Sequence, residues 1–144
     1  MTRFIAVLAL AAVTLTAQEP ASLSPQTPLT RADSLFAKGL FDEADAIYGS
    51  ELALHPESAR ARFGVARSLA MRTRLEEALR EVTAAVAAAP LDPEIVALAG
   101  DIYERLYRYQ EAATAYQASV ALAPEALKAN AGPILSRVAL LRSF

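Results

Sequence analysis

Residues 59–92 read ARARFGVARSLAMRTRLEEALREVTAAVAAAPLD, and the 34 residues on either side carry the same chemistry in register. Small residues recur at Ala32, Ala66 and Gly100, and large apolar ones follow at Leu35, Leu69 and Tyr103. Phe41, Leu75 and Tyr109 come next, with Ala44, Ala78 and Ala112 three residues later. Tyr48, Val82 and Tyr116 then precede Leu52, Val86 and Val120, and Pro56, Pro90 and Pro124 close each unit. Small and large side chains alternate at helical spacing over two segments of about thirteen residues per unit. A small residue lets the facing helix approach while its large neighbours fill the space around the contact, so each unit predicts an antiparallel helical hairpin. Three such units occupy about 25–58, 59–92 and 93–126.

The turns carry their own signals. Gly39 suits positive φ between the first pair of helices, and Thr73 and Tyr107 stand at the same place in the later units. The prolines fall between units, where proline stops a helix. Asp92 followed by Pro93 predicts an N-cap and a first helical residue, and Thr73 with Glu76 predicts a capping box. Pro28 is expected to shorten the first helix.

These residues resemble the tetratricopeptide repeat family, whose period, paired small residues and terminal prolines they share. The resemblance implies an all-α fold, a right-handed superhelical stack of three helix-turn-helix hairpins with a C-terminal capping helix. It also implies binding of an extended peptide or helix in a concave face lined by the first helix of each pair. Mapped onto this chain, that face carries Asp33 and Phe36, then Arg60, Phe63, Arg67 and Met71, then Asp101, Glu104 and Arg105. Asp33, Arg67 and Asp101 lie 34 apart, and neighbouring first helices about 8 to 10 Å apart bring Arg67 within reach of one or both carboxylates. One reading is a basic central helix with an apolar pair, Phe63 and Met71, that grips an acidic or amphipathic segment. On that reading Phe63 is a surface anchor whose truncation leaves the hairpin contacts untouched. The other reading is a solvated ion ladder in which Arg67 is already paired, contributing about 0 to 1 kcal/mol. Some cytosolic members of the family hold a carboxylate with Lys, Asn and Arg at set places. Leu29, Asp33, Gly64, Glu94 and Leu98 stand there, so the clamp is not carried over.

Beyond Pro124, a Gly132-Pro133 break precedes a helix expected over about 133–143. Ile134, Val138 and Leu141 form one helical stripe that either caps the third unit or docks a partner or second copy. Tyr103 and Tyr107 are expected to pack beneath that helix.

Ahead of the repeats, Arg3, an apolar run from Phe4 to Val13 and a small residue at Ala17 predict a signal peptide over 1–17, cleaved after Ala17, and hence a periplasmic or secreted protein. The alternatives are a retained anchor and an ordinary buried helix. Seventeen residues reach roughly 26 Å against a hydrocarbon core of about 30 Å, marginal for spanning. No stable membrane insertion is expected after cleavage. Residues 18–28 hold Pro20, Pro25 and Pro28 among Ser, Thr and Gln and read as a tether to the domain at 29–144.

Composition excludes several classes. The chain has no cysteine, so disulfides, thiolate metal sites and an acylated cysteine are ruled out. Losing Arg3 leaves thirteen basic against sixteen acidic residues, net −3, which argues against nucleic acid as a partner. His55, the one histidine, sits beside Pro56 in a turn, and phosphate loops and metal-ligand spacings are missing. No catalytic residue, metal or cofactor is expected. The reading is a noncatalytic scaffold or adaptor of the bacterial cell envelope that binds a protein or peptide. The alternative is a structural subunit that self-associates or docks into a larger envelope complex through its C-terminal helix. Oligomeric state is left open.

Overall fold

A computed structural model describes residues 27–123 and 132–143. The expected signal peptide and most of the tether lie outside these residues. Among the described residues there are seven helices and no strand: α1 Pro28–Ala37, α2 Phe41–Leu54, α3 Ala59–Met71, α4 Leu75–Ala88, α5 Pro93–Arg105, α6 Tyr109–Leu122 and α7 Gly132–Leu141. They pair as α1 with α2, α3 with α4 and α5 with α6, and α7 packs on α6. The first helices also meet across the units, α1 with α3 and α3 with α5. The result is the right-handed superhelical stack of hairpins.

The small residues sit where helices approach most closely. Ala32, Ala44, Ala66, Ala78 and Ala112 are fully buried. A Cβ at Gly100 would lie 2.8 to 3.1 Å from the Tyr116 ring, closer than packing allows. The joints between hairpins follow a second rule. Tyr48, midway along α2, lies against Gly64 of α3, where a Cβ would run into the ring. One unit later the corresponding positions are Val82, in the core shared by the second and third hairpins, and Leu98, half-buried against that core.

That core joins Ala66, Ala78, Val82 and Ala85 to Ile95, Ala99 and Ile102. A smaller cluster of Ala32, Ala44 and Tyr48 serves the first hairpin, with Val65 of α3 packed against it. At the other end Val138 and Leu141 close over Ala112, Ala113 and Tyr116.

Helix ends follow local chemistry, with two departures. Asp92 caps α5 by accepting from Glu94 N at 2.9 Å and Ile95 N at 3.3 Å, with Pro93 at the start. Pro28 stands in the first turn of α1, which has 10 residues against 13 for α3 and α5. The Thr73–Glu76 capping box does not form: Arg74 is the N-cap of α4 without a side-chain bond, and Thr73 Oγ1 bonds the Arg72 carbonyl instead. The reason is backbone geometry, since Thr73 takes φ 59° in the turn that Gly39 makes at φ 78°. Tyr107 takes the same turn at φ 61°. That points its ring outward, 79 % exposed and edge-on to Tyr109, rather than beneath α7. Tyr103 is half-buried between the two larger cores.

Candidate functional site

Between α3, α5 and α7 runs an open groove of about 590 Å³ lined by Arg60, Phe63, Arg67, Ala70 and Met71 of α3, by Glu94, Ala97, Leu98, Asp101, Ile102 and Arg105 of α5, and by Arg137 of α7. Of the residues expected on the concave face, Asp33 stands at the α1 end and Glu104 pairs with Arg137.

Most of the charges here already satisfy one another. Arg67 Nη2 donates to Asp33 Oδ1 at 3.0 Å and to the Tyr48 hydroxyl at 3.1 Å. Tyr48 in turn donates to Asp33 Oδ1 at 2.6 Å. Arg60 bridges all three hairpins, its Nη2 at 2.9 Å from Asp33 Oδ2 and its Nη1 at 2.8 Å from Glu94 Oε2. Burial alone would raise the Asp33 carboxyl, but Tyr48, Arg60 and Arg67 together hold it below the usual carboxylate range. The Tyr48 phenol is pushed up to about 12 by burial and by the Asp33 charge. Asp101 is not reached by Arg67; it accepts from the Tyr116 hydroxyl, which also lies 3.0 Å from Glu104 Oε2. Burial and then the two carboxylates push the Tyr116 phenol strongly upward. Arg137 holds Glu104 at 2.6 Å and lies over the Tyr116 ring.

Phe63 is a floor rather than an anchor. It is 6 % exposed and belongs to the central core, and the Arg60 and Arg67 guanidiniums stand over its ring at 4.8 and 5.1 Å. Phe36 backs Arg67 from the other side at 3.8 Å. The expectation that Phe63 can be shortened without touching the hairpin contacts is therefore overturned, because Phe63→Ala opens a core cavity costing about 3–5 kcal/mol. Two groove residues remain open to a partner. Met71 is 59 % exposed, and among the described residues Arg105 makes no ion pair or hydrogen bond.

Sequence reasoning missed Tyr48, Tyr116 and Arg137. The tyrosines carry a legible signal, since each follows an aspartate by 15 positions, Asp33 and Asp101 respectively. Arg137 carries none, because α7 belongs to no repeat. Among the described residues no cluster of His, Cys, Asp or Glu could hold a metal ion, and no helix is long and apolar enough to cross a membrane.

The tetratricopeptide repeat family model matches residues 29–93 and 72–126, and the chain belongs to that family. By sequence the chain matches no curated protein. Solved structures share the fold at low identity. The type III secretion translocator chaperone SycD of Yersinia enterocolitica is 12 % identical with a TM-score of 0.72, over 80 % of this chain and 81 % of that one. PcrH, solved in complex with the chaperone binding region of PopD, is 18 % identical with a TM-score of 0.71, over 81 % and 89 %. The first repeat domain of Spaghetti, bound to an HSP90 peptide, is 16 % identical with a TM-score of 0.70, over 81 % and 88 %.

Proposed function

We propose that the protein is a noncatalytic adaptor of the bacterial cell envelope that holds a segment of a partner protein in the groove between α3, α5 and α7. The observation that carries this reading is the groove itself, with Met71 and Arg105 turned into it unpartnered while the surrounding charges are locked together. A locked wall loses little side-chain entropy on binding, and that favours affinity. The open pair suits an amphipathic segment with an apolar side chain for Met71 and a carboxylate for Arg105. Asp33, Arg60, Phe63, Arg67, Asp101 and Glu104 shape the wall. Similar proteins support the class, since PcrH holds a region of PopD and the Spaghetti domain an HSP90 peptide. The envelope assignment rests on the leader-like residues 1–17.

The test is capture of partners from the native envelope, followed by titration of the captured protein against Met71→Glu and Arg105→Glu. Each variant is expected to weaken binding by at least ~1 kcal/mol, as loss of a central contact commonly does, with an unchanged melting temperature. Parental affinity in both would sink the groove reading. Leu135 and Leu140 on α7 are 47 % and 61 % exposed, and they favour the second reading, self-association through that helix. Light scattering decides it: a monomer at micromolar concentration removes the second reading.

A further inference from the structure

On the side of α5 away from the partner groove lies a second cleft of about 450 Å³, walled by Thr83 and Val86 of α4, Val96, Ala99 and Tyr103 of α5, and one face of α6 that carries Gln110, Glu111, Thr114, Ala115 and Ala118. The second hairpin shows what the same space looks like when the chain fills it. There the residue corresponding to Val96 is Arg62, and the one corresponding to Ala115 is Glu81. Arg62 crosses between its helices, with Nη1 at 2.9 Å from Glu81 Oε2 and Nη2 at 2.8 Å from the Pro56 carbonyl. In the third hairpin a valine and an alanine replace that pair, and the space stays open.

We infer that this cleft is a binding site for a small, uncharged, apolar molecule of about two aromatic rings. Its volume falls in the range of ligand sites, roughly 300–1,000 Å³. Its threonine hydroxyls and its one carboxylate are already engaged, and the remaining lining amide, Gln110, is exposed to water. Thr83 Oγ1 donates to the Leu79 carbonyl at 2.7 Å and Thr114 Oγ1 to the Gln110 carbonyl at 2.9 Å. Glu111 is held by Arg108 at 2.7 Å. A charged ligand would lose its hydration without finding a partner. The α6 wall from Gln110 to Ala118 spans about 12 Å at 1.5 Å per residue, too short for a partner helix of several turns but long enough for a bicyclic ring system.

The probe is the uncharged naphthalene fluorophore prodan, titrated into the full chain. Saturable binding at micromolar concentration is expected. Val96→Arg combined with Ala115→Glu rebuilds the Arg62–Glu81 pair and is expected to weaken binding at least tenfold with helicity retained. Ala118→Leu, at an exposed position on the α6 wall, provides a second occlusion and should also weaken binding. Met71→Glu, in the other groove, should leave it unchanged. Absence of saturable binding by the parent overturns the inference, as does parental binding in the folded Ala118→Leu variant. Protection of the cleft in a partner complex, with no binding of the probe by the parent, would assign the space to a partner side chain and overturn it equally.

Discussion

Gly64 and Gly49 are both glycines inside helices, and they have opposite consequences. At Gly64 a Cβ would strike the Tyr48 ring, and that ring cannot swing away without breaking its bonds to Asp33 and Arg67. Gly64→Ala is expected to cost about 1–3 kcal/mol, as overpacking does. At Gly49 nothing lies within 4 Å, so Gly49→Ala removes only backbone freedom and is expected to gain about 0.5–1 kcal/mol. Urea midpoints read both, and a shift of the same sign in the two variants would contradict the packing described. At this scale the sequence was legible where one residue type answers one demand, as with Asp92 capping α5 or Gly39 in its turn. Legibility failed where the answer came from another helix. Phe63 looks like a groove residue by position, but the ring lies beneath Arg60 and Arg67 because both arginines are drawn across it by carboxylates on neighbouring hairpins.

Between elements, the contacts that count are the close approaches within a hairpin and the ion pairs across a joint. Ala78 is fully buried and Ala87 is exposed, both on α4. Ala78→Leu is expected to cost about 1–3 kcal/mol and Ala87→Leu much less, so equal denaturant midpoints would refute the register of that hairpin. The period of 34 made the hairpins legible, since the pattern of small and large residues is the packing pattern itself. The Asp33–Tyr48–Arg60–Arg67 cluster was legible only as an aspartate and an arginine one unit apart, because its geometry depends on three helices at once. Asp33 supplies a pH test. Its folded-state carboxyl lies below the ordinary value, so its contribution is present above pH ~4, the unfolded value, and is lost as pH falls through the folded one. Asp33→Asn is expected to lower stability at neutral pH and to flatten its decline on acidification. Parallel acid limbs in urea midpoints taken from neutral to strongly acidic pH would show that Asp33 makes no such contribution.

Across the whole molecule the two joints are built from different materials. Arg60, Arg67 and Arg72 tie the first hairpin to the second through Asp33, Asp42 and Asp45, at 2.6 to 3.0 Å. Between the second and third, the ion pair of Arg60 with Glu94 lies on the surface, and Leu79, Leu98 and Leu106 pack against a shared core. Salt at ~1 M reduces the Debye length to about 3 Å and weakens partly exposed pairs while leaving apolar contacts in place. Amide exchange in α1 and α2 should therefore accelerate on adding salt more than in α5 and α6, and a uniform response would refute the distinction. Tyr48 is matched to Gly64 of the next repeat, and Val82 shares its core with Ile95, Ala99 and Ile102 of the one after. A joint is thus matched as closely as the inside of a hairpin, where Gly100 meets Tyr116. Excising the second unit whole would set Tyr48 against Leu98, where the chain now places Gly64. Recombination among genes of this kind would be filtered by where the cut falls, and the alternation of bulky and small partners along the stack acts as a key that fixes the order of its units.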